Sequence, residues 1–153
     1  MCSSDLQLAA FLGAGSVADL GAAKDLARRV NNQVPCILTV DGALARERPE
    51  IVARYLAALQ QAAQWSRTHR EETYGIVADD VGATREWVEA AYGATLHEQL
   101  TLVLDPRGIE GLEAQKAFLL AQGVLQRDFP LKEWLDPRPL AMAQEIVLER
   151  AGG

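Results

Sequence analysis

The apolar positions of this chain recur mostly three and four residues apart, which is the spacing of helices with one buried face. The clearest case follows Pro49, where Ile51, Val52, Tyr55, Leu56, Leu59, Ala62 and Ala63 form one stripe, with Glu50, Arg54, Gln60, Gln61 and Gln64 opposite. Proline suits the first helical position because its missing N–H has no partner there in any case. A second helix is predicted over Arg70 to Asp80, with Tyr74, Val77, Ala78 and Val81 inward and Gly82 as its stop. Thr84 caps a third, Arg85 to Tyr92, with Trp87, Val88 and Ala91 on one face. Asp105-Pro106 and Asp136-Pro137 each pair a cap with a proline. The first launches a helix to Gln122, with Ile109, Leu112, Phe118 and Leu119 as core and Gly123 as its end. The second launches a last helix striped by Leu140, Ala143, Ile146 and Val147.

Strand patterning is sparse. Pro35 opens Cys36-Ile37-Leu38-Thr39-Val40, the most β-like run of the chain, and Asp41-Gly42 is a turn signal. Ser16 to Leu20, bounded by glycines, is a second short strand. Thr95 to Leu104 fits either a helical turn or an extended piece. Gln7 to Leu12 could close a helix, Gly21 to Arg29 is a loop or single turn, and Phe129 to Trp134 is a connector. The pattern therefore predicts a mainly α chain with about two short strands.

At 153 residues with 49% hydrophobic content, one domain with one core is expected. A net charge of −6, with basic residues scattered among acids, argues against a nucleic-acid partner, which needs a clustered basic face. No apolar run of about 18 residues is present, so no membrane span is predicted. Two cysteines imply neither a disulfide framework nor a cysteine metal site, and no metal or cofactor is implied. Met1 to Leu6 lacks the basic start of a signal peptide. Its Cys-Ser-Ser-Asp-Leu is what a common sequencing-adapter end gives when read as codons. Residues 1–15 are accordingly expected to be an artefactual or truncated start.

Candidate chemistry is limited. No glycine-rich phosphate loop has the dinucleotide or GxxxxGK[ST] spacing. His69 and His97 lie in different helical regions without a ligand pair such as HExxH, and read as surface or helix-end histidines. Glu71-Glu72 and Asp79-Asp80 are neighbours whose side chains point apart, a solvated face and not an acid–base couple. Cys36, between Pro35 and Ile37, reads as a small buried thiol. The sharpest site hypothesis is Asn31, Asn32 and Gln33, with Arg28-Arg29 before them. Amides and guanidinium groups beside a buried strand can wall a cleft for an anion, against the competing reading of a solvated loop.

The order Pro35 to Val40, Asp41-Gly42, then Arg48-Pro49-Glu50-Ile51-Val52 resembles the last third of type II periplasmic solute-binding proteins. The sulfonate, taurine and nitrate ABC-importer branch is the nearest. Tyr92-Gly93, Leu104-Asp105, Gln115 to Leu119, Gly123 and Trp134 to Pro137 look like that family's C-terminal helices. They are similar also to desulfinase enzymes built on the same fold. The resemblance implies an α/β fold of two lobes joined by hinge strands. Residues 16–41 would end the second lobe and form the hinge, and 42–153 would be helices packing on the first lobe.

The leading expectation is thus a C-terminal fragment of a periplasmic binder of a small organic anion. It would catalyse nothing, would close about the hinge, and would deliver its solute to an ABC transporter permease. Its signal peptide is expected upstream of the fragment. Two alternatives stand beside it, a cytoplasmic desulfinase-like enzyme and a free-standing helical interaction domain. For the enzyme, the resemblance implies a catalytic cysteine, histidine and arginine in the N-terminal part. Cys36 does not match that nucleophile, and no catalytic residue carries over; for ligand binding the resemblance leaves only the hinge neighbourhood, Asn31, Asn32, Gln33 and Cys36, as a wall of the cleft. Alone, the fragment is expected to be molten or associating.

Overall fold

The computed structural model describes residues 37–152. Eight helices occur among them: α1 Gly42–Glu47, α2 Pro49–Ser66, α3 Arg70–Val81, α4 Arg85–Tyr92, α5 Leu96–Gln99, α6 Pro106–Ala121, α7 Leu131–Trp134 and α8 Arg138–Ala151. The chain divides into two compact units, residues 41–103 with 138–152, and residues 37–40 with 104–137.

In the first unit the core is a pair of helices distant in sequence. Val52, Leu56 and Ala57 of α2 close on Ala143 of α8, and Leu59, Leu140, Ile146, Val147 and Leu102 pack around them. Ala53, Ala57 and Ala143 are almost wholly buried, so the two backbones approach closely. Arg150 of α8 donates to the Gln61 amide oxygen at 3.2 Å, a surface clasp over the same pair. A second cluster joins Tyr74 and Ala78 of α3 to Val88 of α4 and Leu96 of α5, edged by Val77 and Trp87.

The local signals act as their chemistry requires. Pro49 stands in the first turn of α2. The Thr84 hydroxyl accepts from the Trp87 amide, and Gly82 ends α3 in the left-handed region at φ 66°. That conformation costs glycine nothing and an L side chain about 1 kcal/mol.

In the second unit the Asp105 carboxylate accepts from the Gly108 amide at 2.9 Å and starts α6. Lys116, side chain 13% exposed, ties α6 to the segment before α7. Its ammonium reaches Glu113 at 2.9 Å, Asp128 at 3.1 Å and the Phe129 carbonyl at 2.8 Å. Phe129 meets Trp134 edge-on, with ring centroids 6.4 Å apart.

Several expectations are corrected. No strand occurs among the described residues, so the α/β fold of the solute-binding family is not shown; what is shown is a mainly helical chain. Ile37 to Val40 has no regular structure, with Ile37, Leu38 and Val40 exposed at 46%, 52% and 43%. A strand is stabilised by a neighbour's hydrogen bonds, and no partner strand is present among the described residues. The Ser16 to Leu20 strand lies outside them. Asp41 does not make a turn: its carboxylate accepts from the Ala43 and Leu44 amides and caps α1. On α2 the buried face is rotated from the expected one, because Ile51, Tyr55 and Ala62 are exposed while Ala53 and Ala57 are buried. Val81 is likewise exposed, and Leu112 is the residue of α6 that is buried. Thr95 to Leu104 resolves as one helical turn, α5, followed by chain without regular structure.

Candidate binding surface

Beyond their shared core, α2 and α8 leave an open cavity of about 410 Å³. Gln60, Ala63, Gln64 and Arg67 come from or just follow α2, and Gln144, Val147 and Leu148 come from α8. The segment Leu100 to Val103 supplies the third side. Helical spacing explains the first set: 60, 63, 64 and 67 lie on one face, one turn apart. Leu102 is held inward against the core, which turns its neighbours Thr101 and Val103 outward.

The lining carries three primary amides, one guanidinium, the Thr101 hydroxyl and apolar side chains, with no carboxylate, thiol or imidazole. It can orient an anionic group against Arg67 with amide donors beside it, over an apolar wall. Its one hydroxyl, on Thr101, has no carboxylate or imidazole beside it in the lining.

The other concentration of polar groups is buried between α2, α3 and α5. Ser66, 2% exposed, offers its hydroxyl to the His97 carbonyl at 2.8 Å and the Ala63 carbonyl at 2.9 Å. The Tyr74 hydroxyl donates to the Gly93 carbonyl and accepts from the Leu96 amide at 3.2 Å. The His97 ring sits beside Tyr74, with centroids 6.2 Å apart. Its Nε2 is 3.6 Å from a Glu98 oxygen, and its Nδ1 is buried without a hydrogen-bond partner among the described residues.

The sequence placed His97 at a surface or helix end. It does lie in α5, but it is 8% exposed, because α5 folds onto α2 and α3. Nothing local signals this. Both hydroxyls bond main-chain carbonyls and not the imidazole, so the cluster clasps residues 93–97 to two helices and is no nucleophile–base relay.

His69 stacks on Trp65, with centroids 4.3 Å apart and rings 11° from parallel. Glu71 faces solvent and pairs with Arg70 at 2.6 Å and Arg85 at 3.4 Å. No three of His, Cys, Asp or Glu cluster as metal ligands among the described residues. No helix there is long and apolar enough to cross a membrane. Asn31, Asn32, Gln33 and Cys36 lie outside the described residues.

No family model and no solved structure matches the chain. Curated proteins do. The chain is similar to 2'-hydroxybiphenyl-2-sulfinate desulfinases of Rhodococcus erythropolis, Rhodococcus qingshengii and Rhodococcus erythropolis strain XP. Each is 30% identical over 125 residues, which is 82% of this chain and 33% of the relative. The chain therefore spans about a third of the length of the curated relatives it matches. This corrects the expectation of a protein that catalyses nothing, because every one of these relatives is named as an enzyme.

Proposed function

We propose that this chain is the C-terminal part of a desulfinase-like enzyme that removes the sulfinate group from an aryl sulfinate. The observation that carries the reading is the 30% identity over 125 residues to desulfinases, where a sulfonate importer had been the leading expectation. The chemistry of the described residues agrees. They offer caps, clasps and a binding surface, but no nucleophile set beside a base, so the reacting groups belong to the remainder of the polypeptide. The chain's share of the work is structural, a helical body on which a two-lobed α/β scaffold is completed. Asn31, Asn32, Gln33 and Cys36 then wall the cleft on the hinge side and donate to the sulfinate oxygens.

The test is turnover of an aryl sulfinate by the full polypeptide, followed by chromatography of the desulfinated arene. Release of that arene is expected, with KM raised several-fold by Asn31→Ala combined with Gln33→Ala and kcat little changed. Thermal stabilisation by aryl sulfinates or alkyl sulfonates with no product would overturn the enzyme reading.

A further inference from the structure

Arg67 and the three glutamines of the cavity beside α2 and α8 share a property: their side chains make no hydrogen bond or ion pair with any described residue. Gln60, Gln64 and Arg67 come from the end of α2 and Gln144 from α8, so two helices bring unspent donors to one concavity. In a chain of net charge −6, this lining holds a guanidinium and no carboxylate. The helix end beside it offers little opposition to a negative ligand. Main-chain carbonyls at a helix C-terminus repel anions. Those of Ala63, Trp65 and Ser66, however, already accept from the Ser66 hydroxyl, the Thr68 amide and the His69 amide at 2.9, 3.2 and 3.1 Å. The rest of the wall is aliphatic. Val103 and Leu148 are 64% and 72% exposed there, apolar surface left in water that favours a ligand able to cover it.

We propose that this cavity binds a medium-chain aliphatic carboxylate. Arg67 takes both head-group oxygens in the planar, paired geometry that guanidinium and carboxylate share, and the Gln64 and Gln144 amides donate beside it. The alkyl chain lies along Leu100, Val103 and Leu148. Volume selects a small molecule over a macromolecule, because about 410 Å³ falls within the roughly 300–1,000 Å³ of small-ligand cavities. The lining selects an alkyl body over an aromatic one, since it contains no ring for an aromatic ligand to stack on. It also selects the charged head. An uncharged chain of the same length would displace water from four polar side chains and return no charge-assisted hydrogen bond. The inference goes beyond the desulfinase reading and does not depend on it.

The experiment is calorimetric titration of octanoate into the full polypeptide, beside 1-octanol as the uncharged chain and acetate as the head group alone. Saturable binding of octanoate is expected, with the other two weaker by about ten-fold or more. Arg67→Gln should weaken octanoate by roughly five-fold or more and leave 1-octanol unchanged. Gln64→Glu, which sets a like charge in the lining, should weaken octanoate at least as much. Arg54→Gln removes the same charge from an exposed position of α2 outside the lining, and it should bind as wild type does. Equal losses at Arg67 and Arg54 would reduce the effect to net charge and overturn the proposal. So would 1-octanol binding as tightly as octanoate, or no octanoate binding at all. Binding lost in Asn31→Ala combined with Gln33→Ala, yet intact in Arg67→Gln, would place the carboxylate elsewhere and overturn it as well.

Discussion

Ser66 and His97 meet through one hydrogen bond, yet they carry opposite expectations. Removing the Ser66 hydroxyl leaves the buried His97 carbonyl without its donor, which costs about 1–3 kcal/mol. The Ser66→Ala variant should therefore unfold at a lower urea midpoint than wild type, with unchanged slope. His97 presents the reverse case, because its Nδ1 is already buried and unpartnered among the described residues. An apolar side chain of similar size removes that unmet demand, so His97→Leu should be neutral or stabilising by up to about 1 kcal/mol. A loss larger than that in the same titration would show that the ring is held by a hydrogen bond after all. Neither role is legible in the sequence. Ser66 stands at the end of α2 after Gln64 and Trp65, and its partner lies 31 residues away.

Helices and their ends were the readable part, since each cap is decided within three or four residues. Asp105, Thr84, Gly82 and Pro49 act where the sequence placed them. Gly82→Ala should accordingly lower stability by about 1 kcal/mol in a thermal melt, because no L side chain shares its φ of 66° without strain. What a helix or strand packs against was not readable. Ile37 to Val40 has strand composition, but a strand also needs a partner. Helix α2 is apolar over more than half its circumference, so periodicity allows two faces, and only α8 decides which is buried.

The Lys116 junction adds a pH dependence to its own unit. The hydrogen bond from Lys116, then that from the Phe129 amide, holds the Asp128 carboxyl below its ordinary range. Its folded value is thus the lower one, and the stability it contributes is present above about pH 4, where the unfolded carboxyl is ionised. That contribution is lost as the pH falls through the lowered folded value. Asp128→Asn should separate from wild type in urea midpoint at pH 7, and the two should converge as the pH falls through the lowered folded value. A difference that persists in acid would place the effect in packing and not in charge.

At the scale of the molecule, the first unit is closed by its last helix. Residues 138–152 return to α2 across more than seventy intervening residues, and Leu56 with Ala143 sits at the seam. Deleting the Leu56 side chain to alanine opens a cavity there at a cost of about 2–5 kcal/mol. Ending the chain after Pro137 goes further, because it strips the cover from Val52, Leu56 and Ala57 at once. An isolated helix of 18 residues is marginal in water. The truncated chain should therefore lose more helical signal in far-UV circular dichroism than the 14 residues of α8 account for. The excess belongs to α2, and it should fall with a broadened thermal transition. A loss confined to α8's own share would mean that α2 is held by α1, α3 and α5 without it. In that case the α2–α8 seam would be an attachment to the unit and not its core.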